Sequence, residues 1–169
     1  SAVAKLLKDE NLYVRARAVW LLSKMGPTGI AKVDSGLMNT DPQMRVVAFR
    51  ALRRQNWKLD ELSRRLAVDP APAVRREIAL AQRDVPFAGA KEILFNLARG
   101  YDGVDRTYLE AFGTGCSGKE SEVLSLVALE LGSADPLKWT AKFAGIAWRL
   151  HPPQSVAAFK ARALAPGLS

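Results

Sequence analysis

The stretch DPQMRVVAFRALRR, residues 41–54, begins with a helix start signal and ends in a cluster of arginines. Asp41 can accept the free backbone N–H groups of a first helical turn. Pro42 suits the first helical position, where no N–H is needed. Apolar and small residues then recur at helical spacing, with Arg45 among them. The stretch predicts a helix over 42–54 and raises two questions, the role of Arg45 and the role of the basic end.

Arg45 is one of four arginines at nearly constant spacing. The intervals are 30, 30 and 31 residues, and the four are Arg15, Arg45, Arg75 and Arg106. Small or apolar residues follow each arginine at the third and sixth positions, which places a packed stripe on one helix face. An internal repeat of about 30 residues indicates a helical-repeat architecture.

The turns that precede the helices also recur, and each carries an aspartate suited to cap a helix. The four are Asp9, Asp41, Asp69 and Asp135. Together with the breakers between them, they predict helix pairs at 11–25 with 28–38, 42–54 with 58–67, 71–83 with 87–99, 104–113 with 119–131, and 136–150 with 153–164.

Helix pairs with one apolar face each cannot bury a core alone and must stack on their neighbours. The predicted fold class is therefore all-α, a right-handed α-α superhelix of about five helix pairs. We expect one domain over residues 1–169, with repeat units at about 9–38, 39–67, 68–99, 100–131 and 132–165.

DENLYVRARAVWLLSKMG (9–26) and DPQMRVVAFRALRR (41–54) resemble HEAT repeats, in particular the short type of about 30 residues. The resemblance covers 9–83 well and weakens afterwards, where Asp105 precedes Arg106 and Trp139 stands at the arginine position. It implies that second helices line a concave face, and that the recurring arginines bond carboxylates or carbonyls in the turns between units.

Two later segments, YDGVDRTYLEAFGTGCSGKE (101–120) and AWRLHPPQSVAAFKARAL (147–164), resemble the HEAT segment of large bacterial multidomain proteins. In those proteins the repeats lie between a propeller-type dehydrogenase-like domain and a c-type haem domain. The resemblance implies an extracytoplasmic parent protein, of which this chain is a piece. The Cys-x-x-Cys-His haem motif is absent, so we expect no cofactor in this chain.

The composition excludes several classes of site. One cysteine and one histidine rule out an internal disulfide and a cysteine- or histidine-cluster metal site. No apolar run approaches the roughly 18 residues of a membrane span. The net charge of +8 favours anionic partners and says nothing about the fold.

The recurring arginines have two interpretations. They could form a row of cations for phosphates, or they could be structural, since a buried arginine must be paired. We favour the structural interpretation, with the four arginines as a ladder and the four aspartates as caps, because both recur with the period.

The region 41–83 holds ten cations against five acidic residues, a local balance of +5. It is either a solvated face or a surface that contacts phosphates. Apart from Trp57, few aromatic residues that could stack on bases lie among these cations. The candidate binding residues are those that the period does not explain or that lie on a second helix: Arg50, Arg53, Arg54, Arg64 and Arg65.

Catalytic alternatives find little support in the residues. HEAT-like DNA glycosylases combine a basic concave surface with exposed tryptophans and a catalytic aspartate, but Trp139 and Trp148 are better explained by packing. A Cys116–His151 pair would need proximity in space. GTGCSGKE (113–120) lacks the hydroxyl residue and the preceding strand of a phosphate loop.

These observations predict a non-catalytic α-solenoid that acts as a scaffold or protein-interaction module, linking domains of a larger protein. Its partners would be protein segments on the concave face. The alternative is a binder of the nucleic-acid phosphate backbone, such as a HEAT-like alkylbase DNA glycosylase. A bilin-lyase-like HEAT protein is a third option that no residue specifically favours.

Overall fold

The computed structural model describes residues 2–166, and the chain divides into two compact units, Ser1–Glu77 and Ile78–Ser169. Across the described residues the regular secondary structure is helical and contains no β-strand. The all-α fold class predicted from the sequence is therefore confirmed.

The first unit begins with a short helix α1 and a 3-10 turn, followed by longer helices. Helix α2 packs against both α3 and α4, and α4 also contacts α5. The bounds are α1 Ala2–Lys5, the turn Leu6–Lys8, α2 Leu12–Ser23, α3 Gly26–Ser35, the 3-10 turn Gly36–Met38, α4 Pro42–Arg54, α5 Leu59–Leu66 and α6 Pro72–Ala81, within which the boundary between the units falls.

In the second unit α7 packs against α8 and α9, and α10 packs against both of these. The bounds are α7 Phe87–Gly100, α8 Arg106–Gly115, α9 Glu120–Leu131, the 3-10 turn Pro136–Lys138, α10 Ala141–Leu150, the 3-10 turn Pro153–Ser155 and α11 Val156–Leu164. These bounds follow the five predicted helix pairs closely, except in the fifth pair.

The longer helices of the first unit each bury one face, whereas α1 has no buried residue. In α4 the side chains of Phe49 and Leu52 are fully buried. In α2 the predicted stripe holds at Ala18, which is fully buried, but not at Leu21, which is 52% exposed while Leu22 is 1% exposed. One residue rotates a helix position by about 100°, so the neighbouring leucine faces the core.

The helix caps in the first unit agree only in part with the predicted ones. Asp41 caps α4 by accepting the N–H of Gln43 at 2.8 Å. The cap of α2 is Asn11 rather than Asp9. The carboxylate of Asp9 instead accepts the N–H of Asn11 at 2.8 Å, as the side chain of Asn39 accepts the N–H of Asp41. Asp9 therefore belongs to the turn before the cap.

The predicted helix 136–150 was wrong in its first part. Asp135 caps only the 3-10 turn Pro136–Lys138, through the N–H of Leu137 at 3.0 Å. The backbone is then extended at Thr140, whose hydroxyl caps α10 by accepting the N–H of Phe143 at 3.2 Å. Because Thr140 caps a new helix only five residues after Asp135, the helix that begins at Pro136 is limited to a single turn.

The glycines of α8 were expected to end a helix, but α8 runs through Gly113 to Gly115. Both residues are buried. A Cβ on Gly115 would overlap the backbone carbonyl of Ala79, and a Cβ on Gly113 would overlap only the guanidinium end of Arg149. These glycines permit close approach within the second unit.

We predict that Gly115→Ala lowers the free energy of unfolding by about 2 to 3 kcal/mol, because backbone atoms must move to relieve the overlap. Gly113→Ala should change it by no more than about 1 kcal/mol, since a flexible arginine end moves aside and alanine favours a helix. Urea unfolding of both variants measures the difference. Equal stabilities for the two variants would contradict the close approach at Gly115.

Candidate functional site

Arg45 lies in a nearly complete polar cage. Its Nε and Nη2 donate to the two carboxylate oxygens of Asp69 at 2.9 and 2.7 Å. Its Nη1 donates to the carbonyls of Asn39 and Thr40 at 2.8 and 3.2 Å. Both charged residues are buried, and the hydrogen bond to Asp69 raises the pKa of Arg45. The side chain thus joins the turn before α4 to the turn before α6.

Arg15 has an equivalent position but a poorer cage. Its Nη1 donates to the carbonyl of Asp9 at 3.3 Å, and its Nη2 lies 3.7 Å from a carboxylate oxygen of Asp41. Its Nε is buried without a hydrogen-bond partner. The residue 30 positions before Asp69 is Asn39, so the carboxylate that would fill the cage is replaced by a neutral amide.

Arg75 and Arg106 occupy different positions within their helices. Arg75 donates through Nη1 to the carbonyls of Asp69 and Pro70 at 2.6 and 3.1 Å. It is the fourth residue of its helix, as are Arg15 and Arg45. Arg106 is the first residue of α8, because Asp105 caps that helix. Its side chain is 90% exposed, so its surroundings differ from those of the other ladder arginines.

Three of the five candidate binding arginines are already paired with acidic side chains. Arg50 makes a two-pronged hydrogen bond with Glu77. Arg64 donates to Asp60 at 3.0 Å, and Arg65 lies 3.7 Å from Asp34.

The remaining two candidates, Arg53 and Arg54, lie at the end of α4. Both are exposed, and no acidic partner is found for them within the described residues. They lie in the unit that carries most of the charge. Residues 1–77 hold 15 lysines and arginines against 8 acidic residues, whereas residues 78–169 hold 10 against 9. The free positive charge therefore concentrates in the first unit.

The cysteine and histidine have structural surroundings. Cys116 is fully buried, and this burial raises the pKa of its thiol to about 12, so the thiol is neutral at physiological pH and poorly nucleophilic. His151 ends α10 in the left-handed conformation, and its Nδ1 lies 3.1 Å from the carbonyl of Arg149.

The two C-terminal tryptophans differ in exposure. Trp139 donates from Nε1 to the carbonyl of Ser133 at 2.9 Å and packs edge-on against Phe143, as the packing interpretation expected. Trp148 is 70% exposed, so that interpretation does not account for it. The sequence signal that could have separated them is position, since Trp148 lies two residues before the end of its helix.

The described part of the chain contains no group of three or more His, Cys, Asp or Glu side chains placed to hold a metal ion. None of the helices within residues 2–166 combines the length and apolar composition needed to cross a bilayer. Comparisons with protein families, with curated proteins and with solved structures found no match to this chain.

We predict that Asn39→Asp stabilises the protein by about 1 kcal/mol, because a carboxylate at this position can accept the unpaired Nε of Arg15. Oδ1 can still accept the N–H of Asp41 after the change. Thermal and urea unfolding measure the gain.

The matched control is Asn39→Asp in an Arg15→Met background. If the gain is the same there, it does not come from Arg15 and the assignment of the cage is wrong.

Proposed function

We propose that this chain is a non-catalytic helical-repeat module that acts as a scaffold or protein-interaction surface, linking domains of a larger protein. The observation that carries the proposal is the cage of Arg45. Arg45 recurs with the 30-residue period, and it bonds the turn before α4 to the turn before α6. At this position a group that the sequence repeats therefore holds two successive turns together.

The repeat type that we propose is the short HEAT repeat, arranged as a right-handed superhelix. The fourth residue of α2, α4 and α6 is an arginine, and an Asp or Asn recurs at 9, 39 and 69. Such side chains at constant positions in consecutive turns are expected where each repeat contacts mainly its neighbours.

The partner that we propose is a polypeptide bound along the second helices. The cations there alternate with acids that pair with them. Arg64 pairs with Asp60 on α5, and in the second unit Arg99 of α7 pairs with Glu130 of α9 at 2.9 Å. Surfaces that present both signs of charge suit the polar rim of a protein interface, where charge complementarity selects the partner.

A binder of the nucleic-acid phosphate backbone is the second candidate, and one observation favours it. Arg53 and Arg54 are exposed and have no acidic partner among residues 2–166, and they lie in the unit with the charge excess. The glycosylase version has less support. Asp135 is used as a cap and Trp139 as a packed side chain, whereas that chemistry needs an extruded base held in a pocket beside a reactive group.

A labelled DNA duplex titrated with the whole chain at about 0.15 M salt separates the two candidates. We expect no binding tighter than about 10⁻⁶ M, the upper end of non-specific affinity. Fluorescence anisotropy measures it. The scaffold proposal also expects calorimetry to detect a complex with segments that flank this chain in the parent protein, and expects Arg64→Glu with Arg65→Glu to weaken that complex.

The matched controls reverse two charges at different places in the first unit. One variant combines Arg53→Glu with Arg54→Glu, and the other combines Lys5→Glu with Lys8→Glu. Tighter duplex binding that only the first variant abolishes would replace the scaffold proposal with the phosphate-binding one.

A further inference from the structure

A cleft of about 470 Å³ opens in the second unit. Its lining comes from α8, from α10 and from the segment that precedes α8. Sites for small molecules occupy about 300 to 1,000 Å³ and combine apolar walls with a few polar groups. The cleft has both the size and the mixed lining of such a site.

A buried tyrosine supplies one polar group of the lining. Tyr101 is 5% exposed, and its ring stacks on that of Tyr108 with the ring centroids 5.7 Å apart. The hydroxyl of Tyr108 is fixed by donating to the carbonyl of Leu97 at 2.8 Å.

The hydroxyl of Tyr101, by contrast, has no hydrogen-bond partner among the described residues. The hydroxyl itself is not fully buried, so solvent in the cleft can reach it. Burial, together with the carboxylates of Asp102 and Asp105, raises the pKa of Tyr101. The hydroxyl is therefore protonated and lies in the wall of the cleft, where it can donate a hydrogen bond to an acceptor atom of a ligand.

Positive charge lies on another side of the cleft. Arg149 donates from Nε to Glu110 at 2.7 Å, while the Nε of Arg106 is 3.7 Å from the other oxygen of the same carboxylate. One carboxylate lies between the two guanidiniums, and the carboxylates of Asp102 and Asp105 lie near Tyr101, so positive charge is confined to the side of the cleft that the two arginines form. Gly113 helps to place Arg149, because a side chain there would overlap the guanidinium.

A flat apolar surface completes the lining. The indole of Trp148 is held edge-on by Phe159, with the ring centroids 5.4 Å apart and an angle of 79° between the planes. The residue nevertheless remains 70% exposed. Leu109 lines the same cleft. An oriented indole beside apolar carbon favours stacking with a planar ring.

We propose that this cleft binds a small organic anion that carries a planar ring. The ring lies against Trp148, the anionic group meets Arg106 and Arg149, and an acceptor atom of the ligand receives the hydroxyl of Tyr101. The inference goes beyond the scaffold proposal and does not depend on it, since every residue involved belongs to the second unit.

The experiment titrates the whole ¹⁵N-labelled chain with three probes, 2-naphthoate, 2-naphthalenemethanol and acetate. The reporter is the indole N–H resonance of Trp148, assigned by its loss in Trp148→Phe. We expect 2-naphthoate to shift the resonance saturably with Kd on the order of 1 mM or tighter. The neutral ring and acetate should each bind about tenfold more weakly or less, because each lacks one of the two contacts.

Three variants locate the contacts. Arg106→Gln should weaken 2-naphthoate about tenfold and leave the neutral ring unchanged, and Tyr101→Phe should weaken 2-naphthoate while the rings remain stacked. Arg83→Gln, an exposed arginine of the same unit outside the cleft, is the matched control and should change nothing. The proposal is overturned if 2-naphthoate gives no saturable shift, if the neutral ring binds equally well, or if Arg83→Gln has the effect of Arg106→Gln.

Discussion

The buried bond between Arg45 and Asp69 is the interaction on which the first unit depends. Removing one partner of such a pair leaves an uncompensated buried charge, at a cost of about 3 to 5 kcal/mol. The same carboxylate also accepts the N–H of Ala71 at 2.8 Å, so Asp69 shapes its own turn while it binds Arg45 of α4. Because both roles meet in one side chain, the turns before α4 and α6 are fixed together.

Much of the first unit could be predicted from local signals. Asp41 followed by Pro42 fixed the start of α4, and the 30-residue spacing identified Arg45 as structural. The errors were errors of register by one or two residues. Leu22 rather than Leu21 is buried, and Asn11 rather than Asp9 is the cap. A period locates a repeat, but the face of a helix changes by about 100° with each residue.

The second unit was harder to predict because its features depend on contacts between distant residues. Arg106 continues the spacing of the ladder but stands first in its helix, so it projects into solvent instead of into a cage. It shares a cleft with Trp148, 42 positions later. No local pattern could indicate that these side chains and the hydroxyl of Tyr101 form one lining.

The pairing of charges separates structure from candidate function. Acidic partners are present for Arg45, Arg50, Arg64 and Arg65, whereas Arg53 and Arg54 have none in the part of the chain that the structure describes. Sequence composition alone treats all six as one basic region. The structure divides them, because three of the four acidic partners come from other turns and helices, and the fourth, Asp60, lies one turn before Arg64 on the same helix.

The most direct test of this account is a double-mutant cycle between Arg45→Met and Asp69→Asn, measured by urea unfolding. Methionine keeps most of the volume of the arginine stem, and asparagine keeps an acceptor for Ala71. If the pair holds the two turns together, the coupling free energy should be about 2 kcal/mol. Additive effects, with a coupling below about 0.5 kcal/mol, would contradict the claim that this bond organises the first unit.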